Sequence, residues 1–146
     1  MAVEEISASM STPRDSVFFA RLDAFVATQG AARFDWAGHH CASFVGDWLG
    51  QLGHAAPPSF YLRGARAAAR HIRAVGGALP GVVALLGQPL AGGLAWPGDV
   101  ALVRVPRSRG RHTLVLGLCV GAHVLAPGAS GLLALPITEA EAAWRV

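Results

Sequence analysis

Apolar side chains first recur along this chain at helical spacing. Val17, Phe18, Leu22, Phe25 and Val26 share one helical face, with Asp15 or Ser16 available as a cap and Gly30 as a stop. Phe44, Val45, Trp48, Leu49 and Leu52 form a second stripe, predicting a helix from Cys41 to Leu52 that Gly53 ends. A third helix is expected from Arg63 or Gly64 to Val75, stopped by Gly76-Gly77, and Val82 to Leu86 adds one or two further turns. From Trp96 the pattern changes to short β-rich runs between Gly and Pro turns. Strands are expected at Val100–Val105, Thr113–Val120, His123–Ala126 and Leu132–Leu135. Pro136 and Thr138 then begin a short helical segment that ends in Trp144-Arg145-Val146.

Helices followed by an antiparallel meander define an α+β fold, with N-terminal helices packed on a small sheet. At 146 residues the chain is read as one domain over residues 17–146, preceded by a flexible extension over residues 1–16. Met10 offers an alternative start, and no apolar run near the N-terminus has the character of a signal peptide. The uncharged stretch from Ala74 to Gly98 is broken repeatedly by Gly and Pro, so it lacks the ~20 uninterrupted apolar residues of a membrane span.

Composition narrows the chemistry. The basic residues are all Arg, and the net charge of +3 permits an anionic partner without demanding one. No aromatic residues interleave with the arginines, which disfavours nucleic-acid binding. Two cysteines, Cys41 and Cys119, are too few for a disulfide framework and are expected as free thiols. The His39-His40-Cys41 run has no second cluster to complete a metal shell, so neither a metal nor another cofactor is expected.

Cys41 carries the strongest chemical signal. It follows the loop Phe34–His40 and opens the second helix, where the helix dipole and unpaired backbone N–H groups favour a thiolate. A nucleophile there would need a base. His123, at the start of a strand, and His112, at the end of a hairpin, are the candidates. Trp36 and His40 beside the cysteine, and the stripe Arg63, Arg66, Arg70 and Arg73, are candidate contacts for a substrate or partner.

Several motifs occur in a fixed order: Trp36-Ala37-Gly38-His39-His40-Cys41, Arg63-Gly64, Gly98-Asp99-Val100, Leu116-Gly117-Leu118-Cys119-Val120-Gly121 and Ala143-Trp144-Arg145-Val146. Together, over residues 17–146, they resemble small tailed-phage proteins related to the NlpC-type, papain-like cysteine peptidases of peptidoglycan. The resemblance implies a helix-borne Cys41 nucleophile facing a sheet. It also places Val115 where the peptidases carry their base His, Ala126 near the third polar position, and His40 where an Asp would precede the cysteine. The expectation that follows is a structural or assembly component of a phage-type tail, at its tip, built on a degenerate peptidase scaffold. Other tail proteins would be its partners and the virion tail its location, after assembly in the host cytoplasm. The alternative is an active cysteine hydrolase that cuts peptidoglycan peptide stems through Cys41.

Overall fold

The computed structural model describes residues 12–146. Most of the extension expected over residues 1–16 lies outside them. Its described end is tied down: the Thr12 N–H donates to the Val146 carbonyl at 3.2 Å, and Arg14 reaches the buried Asp99.

The described residues form an α+β domain of four α-helices and one six-stranded antiparallel sheet. The helices are α1 (Ser16–Gln29), α2 (Cys41–Gln51), α3 (Ala65–Ala74) and α4 (Ala78–Leu86). The strands are β1 (Leu90–Ala91), β2 (Val100–Pro106), β3 (His112–Cys119), β4 (His123–Gly128), β5 (Gly131–Pro136) and β6 (Ala140–Trp144). They lie in the order β1-β6-β2-β3-β4-β5.

Asp15 caps α1 by accepting the Phe18 N–H at 2.9 Å, and the helix buries Phe18, Leu22 and Phe25. Val17, expected on that face, is exposed instead. It precedes Phe18 by one position, about 100° around the helix, and Phe18 is the one of the two that faces the core. Phe18 and Phe25 both pack on Trp48 of α2, with ring centroids 5.6 and 5.4 Å apart. The Trp48 indole N–H donates to the Gly98 carbonyl at 2.9 Å, so the middle of α2 is fastened to the turn that starts β2.

β2 reads as a continuous apolar run because both of its faces are covered. Val100 and Leu102 join the large core beneath the helices, while Ala101 and Val103 pack with Val124 on the opposite face.

The C-terminal segment departs from the expected helix. After a single 3₁₀ turn at Ile137–Glu139 it becomes β6, inserted between β1 and β2. Its alanines favour a helix in isolation. In the fold they pair with β2, Ala143 opposite Ala101 and Ala142 opposite Leu102, and both are buried. Sheet pairing and burial outweigh local propensity here. Glu141 is the extra residue of a bulge in β6, and it lies 3.8 Å from Arg104.

Candidate functional site

The loop before Cys41 is held by its own polar groups. Asp35 and His39 pair as an isolated bridge, and the Asp35 carboxylate accepts the Ala37 N–H at 2.9 Å. His40 is then the N-cap of α2. Its Nδ1 accepts the Ser43 N–H at 3.4 Å, and the Ser43 hydroxyl accepts the His40 N–H at 2.9 Å. This is a capping box in which an imidazole replaces the usual small oxygen-bearing side chain. The other ring nitrogen of His40, Nε2, donates to the Leu62 carbonyl at 2.9 Å. Both ring nitrogens are therefore engaged away from Cys41. Trp36 is partly exposed and stacks on His40 with ring centroids 5.7 Å apart. The Gly64 N–H donates to the Trp36 carbonyl at 3.1 Å, tying the loop to the start of α3.

Cys41 sits where two cavities meet. The first, of about 350 Å³, lies between α3, α4 and β3 and is lined by Phe60, Ile72, Val82, Leu85 and Leu114 among others. The second, of about 450 Å³, opens over β4 and β5, with Pro127, Leu133 and Leu135 along it. Phe34, Cys41, Arg107 and Val115 line both. The thiol is thus half-buried in an apolar setting, and burial pushes it up to about 11. Its own backbone N–H and the charge of Arg107 pull the other way and do not cancel the desolvation. The apolar surroundings oppose the thiolate that the helix start favours. Near neutral pH this residue is a thiol.

The candidate bases are not brought to it. Among the described residues no imidazole forms a hydrogen bond with the Cys41 sulfur. His112 and His123 are exposed, and neither lines a cavity that contains Cys41. His123 sits beyond the far end of β3, where its carbonyl accepts the Val120 N–H at 2.9 Å. Val120 is five residues from Val115, about 17 Å along a strand. His112 opens β3 opposite Pro106. Val115 is the strand residue that shares both cavities with the cysteine, and Ala126 is fully buried. His71 of α3 lines the cavity between α3, α4 and β3, although no spacing in the sequence singled it out.

Arg63, Arg66, Arg70 and Arg73 are all exposed, and no ion pair joins them among the described residues. Among those residues no three His, Cys, Asp or Glu side chains converge to hold a metal ion. No described helix is long and apolar enough to cross a membrane.

A second polar centre lies at the start of β2. Asp99 is fully buried and forms an ion pair with Arg14 through a close contact, and with Arg145 at 3.3 Å. Its Oδ2 also accepts the Trp96 N–H at 2.8 Å. Arg14 lies over the Phe18 ring and Arg145 over the Trp96 ring. In the sequence, Gly98-Asp99 stands out as one of the ordered motifs. Nothing in it showed that arginines from the two ends of the chain would meet there.

These features define an α+β domain with an unactivated cysteine at a helix start, facing a two-lobed apolar cavity. Residues 13–146 match the family described as a domain of unknown function (DUF6950), and the chain belongs to that family. No curated protein matches it.

Proposed function

We propose that the protein is a structural or assembly component of a phage-type tail, at the tail tip, on an NlpC-like, papain-like scaffold that has lost its catalytic base. One observation carries the non-catalytic part of this reading. Val115, the position that the peptidase resemblance assigns to the base, lines both cavities with Cys41 but carries no titratable group. A thiol pushed up to about 11 with no imidazole bonded to it lacks the proton acceptor that amide hydrolysis requires. The tail assignment rests on the order of the Trp36–Cys41, Gly98–Val100, Leu116–Gly121 and Ala143–Val146 motifs. Its partners are other tail proteins, and the exposed Arg63, Arg66, Arg70 and Arg73 stripe is available for contact with them.

The test is muropeptide release from purified sacculi by the wild type and by Cys41→Ala, alongside incorporation of both proteins into particles. The expected result is no release from either and normal incorporation of both. Release by the wild type that is lost in Cys41→Ala would establish the hydrolase and overturn this reading. A protein absent from purified particles would overturn the tail assignment separately.

A further inference from the structure

The cavities that meet at Cys41 have a distinctive chemical balance. Their walls are mainly apolar, and among the described residues no Asp or Glu lines either of them. The charged residues that line them are Arg107, shared by both, and Arg33 in the lobe over β4 and β5. Both arginines are exposed, and neither has a carboxylate partner among the described residues. Arg107 is steadied by its own hairpin: its Nε donates to the Thr113 hydroxyl at 3.2 Å, leaving its terminal nitrogens without a protein partner among the described residues. An apolar chamber beside unpaired guanidinium groups complements a molecule with a long apolar body and one anionic end.

We infer that this site binds a single-chain aliphatic carboxylate, its chain in the 350 Å³ cavity between α3, α4 and β3 and its carboxylate on Arg107. The cavity lies within the range of roughly 300–1,000 Å³ typical of small-molecule sites. A peptide fits less well. Its repeating backbone N–H and C=O groups would face mainly apolar walls, Phe60, Ile72, Val82, Leu85 and Leu114 among them, where a few polar side chains such as Ser59, His71 and Thr113 could pair with only some of those groups. An aliphatic chain carries no such groups. The inference does not depend on the tail assignment, and it adds a ligand class to a site whose thiol is not activated.

The test uses the full chain at pH 9, with octanoate, decanoate and dodecanoate kept below their micelle concentrations. Binding is followed by thermal shift and by the rate at which iodoacetamide alkylates Cys41, with buried Cys119 mapped by mass spectrometry as the internal control. Dodecanoate is expected to raise the melting temperature and to slow alkylation at Cys41. Affinity should climb roughly three- to fourfold per added methylene. Dodecanol, which lacks the charge, should bind about tenfold more weakly. Arg107→Gln, a change at an exposed position, should remove that tenfold preference and leave dodecanol binding as it was. Ala68→Leu, which projects into the cavity from α3, should abolish binding of both. The inference is overturned if dodecanoate neither protects Cys41 nor raises the melting temperature. It is also overturned if affinity does not depend on chain length, or if an apolar peptide with a free C-terminus protects Cys41 where dodecanoate does not.

Discussion

Asp99→Asn tests how much of the fold is held by the polar centre at the start of β2. The wild-type carboxylate is fully buried and is shared by Arg14, whose side chain is 11% exposed, and Arg145, at 31%. Asparagine keeps the shape and one acceptor oxygen, which can still take the Trp96 N–H. It removes the charge and leaves two guanidinium groups facing each other without a counterion. Breaking a buried ion pair from one side costs about 3–5 kcal/mol. Arg145 is exposed enough to turn toward water, which places the expected loss near the lower bound, about 3 kcal/mol. At about 2.1 cal/mol/K of unfolding entropy per residue, that is a fall in melting temperature of about 10 °C. The assay is urea unfolding followed by circular dichroism, with an unchanged m-value required for the comparison. The double variant Asp99→Asn/Arg14→Met should recover part of the loss, because it removes the most buried stranded charge. A single-variant loss below about 1 kcal/mol would show that solvent reaches this centre and that the ion pairs contribute little.

Cys41 should react with iodoacetamide at neutral pH one to two orders of magnitude more slowly than a free cysteine, counting both its small thiolate fraction and that thiolate's higher nucleophilicity. The rate should rise toward an inflection at about 11, and a plateau by pH 8 would refute the apolar setting. Because its folded value is raised, Cys41 contributes stability that is fully present below the unfolded thiol value of about 8.5 and is lost as pH rises toward about 11, so Cys41→Ala should flatten unfolding stability over that window. Gly98→Ala should destabilise strongly, by about 3 kcal/mol or more: Gly98 has φ +94°, and an added Cβ would lie 2.2 Å from the Phe18 ring. Melting by calorimetry reads that loss. His40→Ala should cost about 1–2 kcal/mol through the lost cap, whereas Arg66→Gln and Arg70→Gln, on the exposed face of α3, should stay within about 0.5 kcal/mol in the same measurement.

The helical stripes were legible because helix boundaries and cores obey local rules. Asp15 at the cap, Gly64 before α3 and the Phe44, Val45, Trp48 and Leu49 stripe all act as their spacing implies. The strands from Val100 to Pro136 were legible for the same reason. β6 was not, because Ala140–Trp144 has no intrinsic strand character and owes its conformation to β1 and β2 on either side. The Asp99 cluster was hidden for a related reason: its partners, Arg14 and Arg145, are 85 and 46 residues away.

Cys41 shows the same division within one residue. Its sequence context specifies the helix start correctly, although the imidazole cap at His40, where the resemblance would place an Asp, was not read from it. That context also argues for a thiolate, through the helix dipole and free N–H groups. The outcome is decided by what the fold packs around the sulfur: Phe34, Val115 and the apolar walls of the two cavities that meet there. Desolvation by those groups exceeds the local field and the charge of Arg107 together. A polar, titratable side chain at position 115 would alter that balance where the two cavities meet. Val115→His is therefore the most direct perturbation of the site. If it lowers the inflection of Cys41 alkylation well below 11, the missing base is what keeps the thiol inert. If the inflection stays at about 11, the apolar walls are sufficient on their own.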